Sequence, residues 1–298
     1  MPQHVLVTGA AGYIGRHVVN ALSDRGDRVT AVVRPGSAER VPAPKRAGSV
    51  EAVELDVLAP ETDLDALLEA AGPGDGGAPD AFIHLAWEKG FAHAAPEHLL
   101  RLSDHYRVLR HAAQAGVGRL AVLGSMHEVG YHEGAITADT PTNPLSLYGI
   151  AKDALRRSVF ASLGELTELL WLRAYYIYGD DRNNQSIFTK LLEAADAGKT
   201  TFPFTTGTRK FDFIRVEELG RQIAVAASQS EVTGVINVST GTPVSLGEQV
   251  EAFIAEHGLD IALEYGAFPD RPYDSPVIYG DATEITQILA ADERASRN

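Results

Sequence analysis

The sequence predicts a doubly wound α/β fold, a parallel sheet with helices on both faces, followed by a smaller mixed α/β C-terminal lobe. A short apolar strand, His4-Val5-Leu6-Val7, runs straight into a glycine turn at Thr8-Gly9-Ala10-Ala11-Gly12-Tyr13-Ile14-Gly15. Apolar runs of strand length then alternate with segments of helical spacing. The chain has 298 residues, 45% of them hydrophobic, which is near the size at which one core gives way to a second lobe.

Each element has its own signal. Strand 4–7 is apolar throughout, as a parallel strand covered on both faces must be. Helix 13–25 places Ile14, Val18, Val19 and Leu22 on one face. Strands follow at Val29 to Val33, Val50 to Leu55, Ala81 to Leu85, Leu120 to Leu123 and Leu169 to Leu172, with helices at 62–71, 96–115, 146–163 and 186–197 between or after them. Right-handed crossovers make such strands parallel and put ligand at their carboxyl ends. Arg34 to Ser49 and Gly72 to Pro79 are rich in turn formers and read as surface loops. After about residue 177 the alternation weakens. Residues 1–177 form the expected dinucleotide domain. Residues 178–298 form the smaller lobe, with some chain crossing back: a helix at 216–228, a strand at 234–238, a helix at 246–257 and a Pro-rich tail.

The glycine turn points to a nucleotide. Gly9 permits the sharp turn. Gly12 lets the backbone approach a diphosphate at the helix N-terminus, where unsatisfied N–H groups and the helix dipole favour an anion. Gly15 lets the helix lie close on the strand. Tyr148 and Lys152 are one helical turn apart on one face. A free phenol has a pKa of about 10, and a neighbouring ammonium favours the phenolate, so the pair is expected to act as an acid–base group. Ser125 ends a strand 23 residues earlier. Its hydroxyl can hold a carbonyl or a developing oxyanion.

These motifs resemble the extended short-chain dehydrogenase/reductase superfamily, in its NAD-dependent epimerase/dehydratase family, over nearly the whole chain. The Gly-x-x-Gly-x-x-Gly spacing, Ser125 and Tyr148-x-x-x-Lys152 carry the resemblance. So do Asp56-Val57, His84-Leu85-Ala86-Trp87, Leu172 to Gly179, and Phe211 to Glu218. The resemblance implies a Rossmann-type fold and a nicotinamide cofactor, NAD(P)H. It places Gly9, Gly12, Tyr13, Ile14, Gly15, Arg34, Asp56, Val57, Leu85, Ala86, Trp87, Tyr148, Lys152, Tyr175 and Ile177 around that cofactor. By the same likeness Ser125 orients, Tyr148 moves the proton, and Lys152 binds ribose and tunes Tyr148. Asn237 and Arg271 to Asp274 match second-lobe positions that hold a nucleotide-sugar.

The chain departs from the sugar dehydratases, which place Asp and Glu after the hydroxyl residue. Met126 and His127 stand there, so dehydration is not expected. Segments 125–131 and 140–146 resemble nucleotide-ketosugar 4-reductases of the dTDP-6-deoxy-L-talose 4-dehydrogenase type. The implied reaction interconverts a nucleotide-linked 4-keto-6-deoxyhexose and its 4-hydroxy sugar. A 4-epimerase, or a non-catalytic dinucleotide sensor, are the alternatives. Met126, His127, Asn184, Arg209 and Arg271 are the candidate substrate contacts, with Arg182, Asn183 and Lys210 as further ligands for a diphosphate. Arg34 stands where NAD enzymes commonly place an acid, which leans the cofactor toward NADP.

Bulk properties set limits. A net charge of −14 argues against nucleic acid. No apolar run reaches the length of a membrane span, and no secretory signal is visible. There are no cysteines, hence no disulfide, thiol nucleophile or Cys-bound zinc. A cytoplasmic enzyme is expected. His127-Glu128 and His132-Glu133 put their histidines five apart, which misses the spacing of a helical zinc site, so no metal is expected. The family likeness also implies a homodimer paired through helices 96–115 and 146–163.

Overall fold

The computed structural model describes residues 2–44, 48–72, 77–182, 184–270 and 274–296. Its elements run β1 (His4–Thr8), α1 (Gly15–Arg25), β2 (Arg28–Val33), β3 (Ser49–Glu54), α2 (Leu64–Ala71), β4 (Ala81–His84), α3 (Glu97–Leu100), α4 (Leu102–Gln114), β5 (Arg119–Ser125), β6 (Gly134–Ile136), α5 (Leu147–Leu163) and β7 (Glu168–Ala174). They continue with β8 (Tyr176–Tyr178), α6 (Ile187–Asp196), β9 (Thr201–Pro203), β10 (Lys210–Arg215), α7 (Val216–Ala227), β11 (Gly234–Val238), β12 (Pro243–Ser245), α8 (Leu246–Glu256), β13 (Ala262–Glu264), β14 (Val277–Gly280) and α9 (Thr283–Ser296).

Seven strands form one sheet in the order β11-β7-β5-β4-β1-β2-β3, every pair parallel. The strand order reverses direction between β1 and β4, which opens a crevice at their carboxyl ends. Alternation within the strands builds both cores. Val5 and Val7 of β1 face α1, α7 and α9 through Val18, Leu22, Leu219, Ile223 and Ile288. Leu6 faces the opposite layer of α2, α4 and α5 through Leu68, Leu109, Leu155 and Val159. Each such side chain contributes about 1.5–3 kcal/mol when fully buried.

A second sheet, β12-β10-β14-β6 with β8 also on β10, and a β13-β9 pair build the smaller lobe around Phe188, Phe204, Phe211 and Phe253. β6 leaves the first half of the chain to join this sheet. β11 returns from the second half to the edge of the first, beside β7.

Three expectations change. The 96–115 segment is not one helix: Arg101, at φ −94° and ψ 0°, separates α3 from α4, and its guanidinium turns to Asp104. The expected Pro-rich tail ends instead in β14 and α9, which docks Ile285 and Ile288 on the first core. Short strands β6, β8, β9, β10, β12 and β13 add to the elements the sequence marks, because runs of three to six residues carry too little alternation to announce themselves.

Candidate active site

The glycine turn joins β1 to α1 at the mouth of the crevice. Gly15 has no room for a side chain, since a Cβ there would lie 2.1 Å from the Gly9 carbonyl oxygen. α1 has no side-chain cap and no acid in its first turn. The N–H groups of Tyr13 and Ile14 meet no acceptor among the described residues. Uncapped donors beside a tight glycine turn fit the diphosphate of a dinucleotide. A Gly15→Ala protein is expected to lose about 1–3 kcal/mol of stability, because backbone atoms must give way. Its cofactor Kd should rise at least about tenfold; denaturation and fluorescence titration check both.

The other expected cofactor residues line the same edge. Asp56 is exposed just past β3, with its carboxylate accepting the Leu58 N–H at 3.2 Å, and Val57 is buried beneath it. Leu85 and Ala86 follow β4 directly over the turn; the Leu85 N–H donates to the Thr8 carbonyl at 3.2 Å. Arg34 follows β2 with an exposed side chain whose guanidinium is 3.9 Å from Glu88.

β5 delivers Ser125, and α5 delivers Tyr148 and Lys152. Ser146 caps α5 by accepting the Gly149 N–H at 3.2 Å. Gly149 lets the helix start close to the turn after Ser125, where a Cβ would stand 2.3 Å from the His127 carbonyl oxygen. Ser125 lies near enough to Tyr148 to pull the phenol's pKa down. The Lys152 ammonium lies 6.0 Å from the Tyr148 ring centre, donates to the Leu123 carbonyl at 2.7 Å, and sits 3.7 Å over the Trp87 ring. The three side chains therefore converge at the carboxyl end of β5.

Burial dominates the electrostatics of the pair. Burial pushes Tyr148 up to about 12, with Ser125 pulling down and Glu128 pushing up. Burial brings Lys152 itself down to about 7, against the pull of Glu128. Burial thus disfavours the charged form of both groups.

Histidines surround this centre, and the sequence offers no periodic signal for them. His93 stacks on Tyr148 at 5.1 Å and 11°, and its carbonyl accepts the Tyr148 N–H at 3.0 Å. His127 packs edge-on against His93 at 4.3 Å, and burial lowers its pKa to about 3, so it is neutral. Trp87 donates its indole N–H to His98 Nδ1 at 3.0 Å and stacks on His105 at 4.3 Å. His105 Nδ1 meets His84 Nε2 at 2.9 Å, and His84 Nδ1 meets the Thr8 hydroxyl at 2.8 Å. Trp87, expected to touch the cofactor, thus forms the floor under Lys152.

Other expected contacts are placed elsewhere. Met126 is buried in the apolar core of the smaller lobe. Tyr175 is buried there too and donates to Asn237 Oδ1 at 3.0 Å; burial raises its pKa. Asn237 in turn donates to the carbonyls of Ile136 and Asp281, so it ties strands together rather than facing the crevice. Asn184 is buried in the turn before α6, donating to the Asp181 carbonyl at 2.8 Å and accepting the Ser186 N–H and the Thr189 hydroxyl at 2.8 and 2.7 Å. Both polar atoms of its side chain are engaged within this turn. Ile177 is half-buried on β8, against the first core. Arg209 donates to the Asp274 carbonyl and lies near Tyr131. It keeps a side-chain nitrogen, Nε, with no partner. Arg182 pairs with Asp196. Asn183 and Arg271 lie outside the described residues. His132 donates to the Ala135 carbonyl at 2.9 Å, and no cluster of metal-binding side chains occurs among the described residues. No helix among them is long and apolar enough to cross a membrane.

Known proteins fit this geometry. Residues 5–239 match the family described as NAD dependent epimerase/dehydratase. The chain is 40% identical over 281 residues to a dTDP-6-deoxy-L-talose 4-dehydrogenase (NAD(+)) of Aggregatibacter actinomycetemcomitans, covering 93% of this chain and 99% of that one. A dTDP-6-deoxy-L-talose 4-dehydrogenase (NAD(P)(+)) of Kitasatospora kifunensis is 27% identical, covering 90% of this chain and 84% of that one. The structure of MoeE5 in complex with UDP-glucuronic acid and NAD superposes with a TM-score of 0.75 at 27% identity, covering 96% of this chain and 92% of that one.

Proposed function

We propose that this chain, which belongs to the NAD dependent epimerase/dehydratase family, is an NAD(P)-dependent oxidoreductase acting at C4 of a nucleotide-linked 4-keto-6-deoxyhexose. The observation that carries the reading is the meeting of Ser125, Tyr148 and Lys152 beside an uncapped glycine turn. The substrate follows from the 40% identity to a dTDP-6-deoxy-L-talose 4-dehydrogenase along nearly the whole of both chains.

The glycine turn from Gly9 to Gly15 would hold the diphosphate of the reduced dinucleotide, which would supply the hydride. Ser125 holds the C4 oxygen. Tyr148, protonated at neutral pH by its raised pKa, gives its phenolic proton to that oxygen as negative charge develops there. Lys152 keeps the phenol side of the crevice electropositive to the extent that it is charged. His127 and Arg209 line the sugar and diphosphate side, with Met126 and Asn184 supporting the wall from behind. The division near residue 177 separates cofactor from sugar. The protein acts in the cytoplasm as a homodimer paired through α4 and α5.

Purified protein offered NADH or NADPH with dTDP-4-keto-6-deoxyhexose should consume the reduced cofactor at 340 nm. Cofactor binding without consumption would leave a sensor. Tightly retained nicotinamide, with interconversion of two nucleotide hexoses and no added cofactor, would assign a 4-epimerase instead. Arg34 tests cofactor choice. In Arg34→Ala the Kd for NADPH should rise about tenfold while that for NADH moves less than about twofold, the effect of one charge-assisted hydrogen bond. Equal change for both would remove Arg34 from 2′-phosphate recognition.

A further inference from the structure

Behind Ser125 lies a carboxylate that the proposed chemistry does not use. Glu128 is fully buried, at 0% exposure. It accepts the Ser125 N–H at 2.6 Å and the Trp171 indole N–H at 2.9 Å. The Arg173 Nε is 3.6 Å away with its side chain at 0% exposure, and the Arg156 Nε is 3.8 Å away. Arg156 is tied in turn to Asp153 on α5 at 2.7 Å. In return the Ser125 hydroxyl accepts the His127 N–H at 3.3 Å, which closes a capping box around the short turn of residues 126–128. Close packing confirms that the pocket is built for this group. A Cβ on Gly124 would stand 2.1 Å from the Trp171 indole nitrogen and 2.8 Å from the Glu128 carboxylate. Burying a carboxylate with two guanidiniums is expensive, and apolar residues of like volume are often as stable. Stability alone does not account for it here.

We propose that Glu128 is a positioning residue: its carboxylate fixes the backbone at Ser125, and so aims the Ser125 hydroxyl at Tyr148 and at the substrate oxygen between them. The argument is geometric. The Ser125 N–H is the last donor of β5 before the chain turns, and the Ser125 side chain lies near enough to the Tyr148 phenol to pull its pKa down. A slack of even a fraction of an ångström at the backbone is passed on to the hydroxyl. Glu128 anchors that point from the side away from substrate and links it through Arg156 to α5, the helix that carries Tyr148 and Lys152. Acceptor and donor groups of the two catalytic elements are thereby held in one frame.

The inference rests on the reductase reading, and the experiment separates the two. Two variants serve, Glu128→Gln, which keeps an acceptor oxygen and the shape, and Glu128→Leu with Arg173→Met, which removes the buried charges together. Both are measured in the Ser125 protein and in Ser125→Ala. We expect kcat to fall at least about tenfold in the double replacement, with KM and cofactor Kd within about twofold and a smaller loss in Glu128→Gln. In the Ser125→Ala background neither should lower kcat further, because an effect transmitted through the hydroxyl vanishes with it. Amide hydrogen exchange at Ser125, followed by NMR in the substrate-free protein, should quicken at least about tenfold while the preceding residues of β5 stay protected. Full kcat in a folded variant, an equal loss in the Ser125→Ala background, or unchanged exchange at Ser125 would overturn the proposal. Should the unmodified protein reduce no ketosugar, the reductase reading fails, and the exchange measurement still decides what Glu128 does.

Discussion

Replacing Tyr148 by Phe should lower kcat by about a hundred- to ten-thousandfold and leave cofactor binding within about twofold. The substitution removes one oxygen and keeps the ring, so the stack on His93 and the edge contact with Trp87 survive. What is lost is the proton. The phenol, pushed up to about 12, stays protonated through the neutral range and is ready to donate. The phenol itself should therefore add no pH dependence to reduction from about pH 6 to 9, and any fall across that span should follow the loss of charge at Lys152. The reverse oxidation, which needs the phenolate, should keep rising with pH over the same span. Stopped-flow turnover in both directions, with fluorescence titration of NADH, measures all three quantities. A Tyr148→Phe protein with more than a tenth of the original kcat would remove Tyr148 from proton transfer.

The cofactor turn, the strand-end serine and the Tyr-Lys pair were legible because each couples a residue type to a fixed period. The turn needs glycine where backbone meets backbone, as at Gly15, and the pair needs four residues to complete one helical turn. Strands β1, β2, β4, β5 and β7 were legible for a similar reason, since burial on both faces makes them continuously apolar. The remainder depended on contacts distant in sequence. His93 lies in an irregular loop and gains meaning only when Tyr148 packs under it. Tyr175 and Asn184 carry polar groups that suit ligands, yet the fold uses them internally. Glu128 did leave a trace, the Ser-x-x-Glu spacing of a capping box at 125–128, which reads as a turn signal until Trp171 and Arg173 close over it.

Lys152 carries the opposite trade, activity against stability, and Lys152→Met should expose it. Lys152 is 3% exposed, and burial brings its pKa from 10.5 in the open chain to about 7 when folded. The unfolded chain thus binds more protons between those values, so stability rises with pH across that window. Below about pH 7 the folded protein must hold a buried charge, at a cost of a few kcal/mol; above about 10.5 neither state is charged and the cost is gone. Trp87 and the Leu123 carbonyl offset part of that cost. Lys152→Met should accordingly be the more stable protein at pH 6, by denaturant titration, with its advantage shrinking toward pH 10. At pH 7 its kcat should nonetheless fall about a hundredfold, since no positive side chain remains beside the phenol. A variant that is less stable at pH 6, by a margin that stays fixed as pH rises, would mean that Lys152 is held in its charged form by partners stronger than its burial. Tyr148 would then have a full ammonium to work against, and the phenol would titrate below its ordinary value.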